Sequence, residues 1–325
     1  MRQYPFLQKV VVEGEELRIE DVVSSAYIET ADISGTKLIM ELADQASYYR
    51  DDMKIGKQTE LELTLADLSG GDEALWTDKF IVAKATSEGQ NLKLECFQKD
   101  CHELKQLATQ PLFFNEVKPS EIIAKLITGL KIECDEFSTL ATYHLNAGGT
   151  KARLLRTLAR DYGAVCFVSR GTFYFKDIRK LLAQEPAIKL DYSNPNAEFQ
   201  INKYKLLGND ELYSRVTDRH YVRWNCVTGL QQSTNHQDRA TTFVSLPGQA
   251  AINTQSTILM PVIQIDIMGY GAFIPSLICS LEFFKQLPDI AIDESLPKQA
   301  AISQITHYQK GYQYLCKMEL GVLHE

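Results

Sequence analysis

The chain has 325 residues, 45% of them hydrophobic and 23% charged, which is enough for two or three domains with substantial buried cores. Its 42 acidic residues outnumber 34 basic ones, and a net charge of -8 argues against a protein that grips duplex nucleic acid. The opening MRQYPFLQKVVVEGEEL has neither the apolar run nor the small-residue cleavage site of a signal peptide, so synthesis in the cytoplasm is expected.

Residues 9–97 carry period-two signals. KVVVEGEEL, SAYIET, KLIMELA, TELELTLAD, KFIVAKAT and NLKLECF alternate or are rich in β-branched residues, with turn chemistry at Gly14, Ser34-Gly35, Ser69-Gly70-Gly71 and Glu88-Gly89 between them. This predicts an antiparallel β sandwich or barrel over residues 1–100.

After Asp100 the period changes. CHELKQLA and KPSEIIAKLITGLKI have helical spacing, the second with Ser120 placed to cap and Gly129 to stop it. NAGGTKARLLRTLARDYG predicts another helix, capped by Thr150, ended by Gly163, and striped by Leu154, Leu155, Leu158, Ala159 and Tyr162. AVCFV-SRG-TFYF then reads as a hairpin, making residues 101–185 a small α+β unit.

Strands return in residues 186–325, as FQINKYKLL, ILMPVIQIDIM, AAISQITHY and YQYLCKMELGV. The most apolar stretch, TILMPVIQIDIMGYGAFIPSLIC, is broken by Gln264, Asp266, two prolines and two glycines, so it predicts buried strands with a turn at Gly269–Gly271 and no membrane insertion. The polar TGLQQSTNHQDRATT reads as a solvated loop or as an arm reaching a neighbouring subunit.

Gly149-Thr150-Lys151 invites comparison with a phosphate-binding loop, but such a loop needs lysine directly before the hydroxyl residue, and here the order is reversed. No GxGxxG, GxSxG or HExxH occurs, DLSGGDE lacks the ligands of a calcium loop, and Glu13, Glu15 and Glu16 read as solvated surface. Of the seven cysteines, Cys96, Cys166 and Cys316 lie in apolar runs as core thiols, and Cys96, Cys101 and His102 have no second ligand pair at zinc-like spacing. No enzyme activity, catalytic residue, metal or cofactor is therefore expected. One face does suggest an interface. Arg153, Arg156 and Arg160 gather opposite the apolar stripe of their helix, with no carboxylate among them, and read either as a solvated face or as a surface for an acidic partner.

The order of these pieces resembles the late control protein D family of phage baseplate hubs, which includes Mu-type tail proteins and the hub half of type VI secretion spikes. Phe114, Asn115, Pro119, Glu121, Ile122 and Ile123 match the phrase that opens the family's middle domain. Leu155, Leu158, Ala159, Gly163, Gly171, Phe173 and Phe175 match the phrase that closes it, and the last strands, with His307, look like its final hairpin.

The resemblance implies an α+β, mainly β fold in which two antiparallel β-barrel-like tube domains, 1–100 and 186–325, flank an α+β domain at 101–185. It implies a homotrimer forming a pseudo-sixfold ring in a virion's tail baseplate. That ring would join the tail tube protein to a separate spike protein, meet the tape-measure and baseplate wedge proteins, and pass DNA without binding it specifically. A secretion-type hub and a tail-associated wall hydrolase remain as alternatives.

Overall fold

The computed structural model describes residues 6–66, 75–244, 252–284 and 292–324. The turn at Ser69-Gly70-Gly71 and the DLSGGDE stretch lie outside them.

The first unit comprises β1 (Leu7–Val12), β2 (Glu15–Glu16), β3 (Val22–Thr30), β4 (Lys37–Ala43), β5 (Glu60–Ala66), β6 (Leu75–Glu88) and β7 (Asn91–Gln98). They pair antiparallel in the order β3-β4-β7-β6-β5-β1-β2. Alternation dictates the curl: Leu38, Met40 and Leu42 of β4, Leu61, Leu63 and Leu65 of β5, and Leu92 and Leu94 of β7 all point inward. Each such side chain stabilises by roughly 1.5–3 kcal/mol relative to exposure.

The middle of the chain holds α1 (Lys99–Leu104), β8 (Leu112–Val117), α2 (Pro119–Leu126), β9 (Lys131–Cys134), β10 (Ala141–Leu145), α3 (Lys151–Tyr162), β11 (Ala164–Ser169), β12 (Thr172–Asp177) and α4 (Ile178–Leu182). β8 and β10 form a two-stranded ribbon. β9 adds to the β11–β12 hairpin in parallel with β12. Helix α3 begins where the Thr150 side chain accepts the Arg153 N–H and ends at Gly163, φ +60°. Its stripe packs with Ile122, Ile123, Leu126, Phe173 and Phe175 in one core. Ser120 does not cap α2. Pro119 occupies the first turn and Lys118 the cap position, because proline's fixed φ and missing N–H suit the first helical residue.

The last part comprises β13 (Ile188–Tyr192), β14 (Phe199–Leu206), α5 (Asp210–Thr217), β15 (His220–Asn225), β16 (Gly229–Gln232), β17 (Thr241–Phe243), β18 (Ile258–Met268), β19 (Ile278–Phe283), β20 (Gln299–Lys310) and β21 (Gln313–His324). The order β19-β13-β14-β18-β21-β20, with β20 returning to β19, closes a six-stranded barrel. The closure is not wholly antiparallel, because β13 pairs in parallel with both β14 and β19. A strand wedged between two others that run its own way is what completes the ring.

TGLQQSTNHQDRATT is not simply a loop. It supplies β16 and β17, which flank β15 in a small three-stranded sheet inserted, with α5, between β14 and β18. The cysteines are free. Cys96, Cys166 and Cys316 are buried and Cys226 is exposed.

Candidate functional site

Strand β20 is long enough to serve both the last barrel and the first β unit. Ala300 and Ala301 pair with β19 to close the last barrel, while Gln304 to Lys310 pair with β3 of the first unit, fusing both into one thirteen-stranded sheet. Beside this junction the Leu7 N–H donates to the Gln309 side chain of β20 at 2.9 Å.

Charges are buried at that junction. Glu29 of β3 and His307 of β20 are each on the inward face of their strand and fully buried, with His307 Nε2 3.6 Å from Glu29 Oε2. The turn between β11 and β12 sends Arg170 to the same place, 3.6 Å from Glu29, where its guanidinium also donates to the carbonyls of Gly271 and Phe273 and stacks on Trp76 at 3.9 Å. Ser169 donates to Glu29 at 2.5 Å. Arg170 stands at φ +48° and Gly171 at +73°, the paired positive values of a tight hairpin turn. For arginine that backbone costs about 1–2 kcal/mol.

His307 Nδ1 meets the Tyr314 hydroxyl at 2.7 Å and the Cys316 sulfur at 3.4 Å, and Nε2 donates to the Phe273 carbonyl. Thiol, imidazole and carboxylate are residue types that nucleophilic catalysis uses. All three are enclosed here, with Phe6 stacked on the imidazole at 4.5 Å, so the group binds all three parts of the chain together instead of facing a cleft.

Burial works against the charge on Glu29, but Arg170, His307 and Ser169 hold its carboxyl below the usual value. Burial also opposes a charge on His307, yet Cys316 and Glu29 push it up to about 9. Nearby, burial pushes Asp78 up to about 6 despite hydrogen bonds from Gln98 and Tyr27.

The signs give three limbs. The raised His307 contributes stability that is complete below its unfolded value near 6.5 and lost as pH rises through about 9. The raised Asp78 likewise loses stability as pH rises through about 6. The lowered Glu29 contributes above its unfolded value near 4.3 and loses that contribution in acid. Thermal melts should therefore be highest near pH 4, fall between about pH 4 and 6 and again between about 6.5 and 9, and fall in stronger acid. A melting temperature unchanged from pH 7 to 10 would contradict the His307 assignment.

A second feature is a ridge. Arg153, Arg156 and Arg160 are all exposed on α3, opposite its buried stripe. They do not share one recess. Arg153 lines a groove of about 680 Å³ between α3 and β10, whereas Arg156 and Arg160 line a cleft of about 580 Å³ between α3 and the last barrel, beside Asp32, Glu319, Ile258 and Leu259. Arg160 has the buried Asp161 at 3.9 Å, while the Arg153 and Arg156 side chains have no ion pair among the described residues. Residues 101–185 hold 12 basic and 9 acidic residues against 11 and 20 in residues 1–100, so the ridge stands on the basic part of an acidic chain. The three arginines are solvent-exposed and opposite the core, so replacing all with glutamine should move stability by less than about 1 kcal/mol in denaturant titration; outright unfolding would remove them as interface candidates.

Two more surfaces stand out. On the outer face of the fused sheet, several basic residues sit across from carboxylates, Lys317 opposite Asp266, Lys93 opposite Glu41 and Lys84 3.6 Å from Glu95, while Lys205 and Lys310 stand opposite uncharged Gln264 and Gln313. On the inserted sheet Trp224 and Phe243 are each 73% exposed, with Leu230 opposite Trp224. Sequence reasoning missed this sheet, and it missed Glu29 and Arg170. The available signal was an arginine where a tight turn favours asparagine or glycine.

A seven-stranded β unit and a six-stranded barrel, fused through one strand and joined to an α+β unit, make a fold that the chain shares with phage tail proteins and a type VI secretion component. The chain is similar to the tail protein of Neisseria meningitidis MC58, with TM-score 0.68, 14% identity, and 98% of this chain and 97% of that one covered. It is similar also to the 43 kDa tail protein of prophage MuSo2 from Shewanella oneidensis, at TM-score 0.62 and 10% identity over 98% of both chains. The E. coli c3393 protein, a type VI secretion component, matches at TM-score 0.55 and 11% identity over 98% of this chain and 77% of its own. No family model matches the chain, and no curated protein matches it in sequence.

Proposed function

We propose that the chain is a structural baseplate hub of a phage or phage-like tail, three copies of which close a pseudo-sixfold ring between tail tube and central spike. The observation that carries this reading is the fused sheet. Each chain offers two β units of similar size side by side, one of seven strands and one of six, so three chains present six such units around an axis. The full-length likeness in fold to tail proteins supports the same role. The lysine–carboxylate pairs on the sheet's outer face suit a channel wall along which DNA and a tape-measure protein slide, because each carboxylate offsets a lysine that would otherwise hold phosphate by counterion release. The exposed Trp224 and Phe243 suit contact with a neighbouring copy, and the arginine ridge suits an acidic neighbour such as a wedge or spike protein.

Light scattering of the assembled protein should give three times the chain mass, and electron micrographs should show a threefold ring with a central channel. A stable dimer or tetramer would defeat the reading. The likeness to c3393 supports a second use of the same ring, as the hub of a secretion-type machine. Purified particles distinguish the two, since a phage hub co-purifies with DNA-filled virions.

A further inference from the structure

The groove beside Arg153 has an unusual floor. Side chains of a strand alternate between faces, yet five consecutive residues, Thr142 to Asn146, line it. Ala141 and Leu145 are buried in the core and Tyr143 reaches α3, its hydroxyl donating to Asp161 at 2.7 Å, while Thr142 and His144 are exposed on the other face. Residues of both faces border one groove only if the strand's backbone edge does. That edge is open: β10 is hydrogen-bonded to β8 on one side, and among the described residues no backbone hydrogen bond reaches Ala141–Leu145 from the other. An unpaired edge normally carries a lysine, a proline or a bulge against unwanted pairing; ATYHL has no lysine or proline, and the one register shift of the ribbon, between Ala141 and Tyr143, places its extra residue in β8.

We propose that the β10 edge is a docking site for an extended segment of another protein, added as a third strand to the β8–β10 ribbon and carrying a carboxylate that meets Arg153. Main-chain bonds to β10 supply the affinity. Alternate apolar side chains drop between β10 and α3, and the guanidinium of Arg153, which has no ion pair among the described residues, selects for acid. A two-stranded ribbon is marginal by itself, so the added strand also completes the sheet. This inference goes beyond the hub reading and does not depend on the ring.

The test uses the full chain and four synthetic octapeptides of alternating valine and threonine: one with two aspartates at its N-terminus, one with them at its C-terminus, and, for the tighter of these, a lysine-for-aspartate and a central-proline version. Fluorescence anisotropy should show one acidic peptide binding, with binding lost in the lysine and proline versions. Arg153→Glu should weaken binding at least tenfold, and Arg153→Lys should recover part of it. Hydrogen exchange should show new protection at residues 142–146 when the acidic peptide binds. Failure of both acidic peptides, equal binding of the proline version, or unchanged exchange at 142–146 would overturn the proposal. So would amides at 142–146 already protected by ring assembly alone, since the occupant would then be a second copy of this chain.

Discussion

Arg170→Met should destabilise the protein by about 3–5 kcal/mol, because it leaves the fully buried Glu29 carboxylate without its guanidinium. The same change removes two hydrogen bonds to Gly271 and Phe273 and the stack on Trp76, so the loss is felt in all three parts of the chain. Urea titration is the measure. Glu29→Gln in the same molecule should restore much of the loss, since a neutral amide does not need the cation that a buried carboxylate does. A single variant within about 1 kcal/mol of the parent, in the range of ordinary surface substitutions, would show that solvent reaches the cluster.

Gly35→Ala should be nearly as costly, through crowding. Gly35 stands at φ +78°, where only glycine is unstrained, and a methyl group there would lie 2.4 Å from the sulfur and 2.6 Å from the Cβ of the buried Cys101. The backbone costs about 1–2 kcal/mol, and forcing helix α1 away from the β3–β4 turn adds about 1–3 kcal/mol. Cys101→Ala removes the nearer of the two colliding atoms and should recover only part of the loss. A Gly35→Ala protein that melts at the parent temperature would mean that α1 is not seated against that turn.

Both effects come from places where the sequence pattern is deceptive, and the reason is physical. In β4, β5 and β7 leucine alternates with charge, so burial and periodicity agree and the strands are legible. Helix α3 is legible because Thr150 and Gly163 are local devices acting on their own neighbours. In SAYIET, by contrast, Tyr27 and Glu29 face inward while Ala26 and Ile28 face out, and nothing within the segment announces that His307, almost the whole chain away, awaits the carboxylate. The parallel placement of β13 is equally remote, since its partners lie in β14 and β19 and their direction is set by topology rather than composition. The inserted sheet uses strands of three to six residues, too short for a period to emerge. Of the candidate interface, the exposure of Arg153, Arg156 and Arg160 could be read from helical spacing, but the two recesses they border could not, because the opposite walls come from β10 and from the last barrel.

The double duty of β20 has a mechanical meaning. Its seven residues from Gln304 to Lys310 are laddered to β3 by bonds that run across the strand axis, so a pull along that axis loads them side by side, in shear, instead of unzipping them in turn. The first β unit cannot be dragged lengthwise past the last barrel until the whole row yields together. A thrust delivered to either β unit is thus carried into the other by a rivet line, with Glu29, Arg170 and His307 as its buried pin.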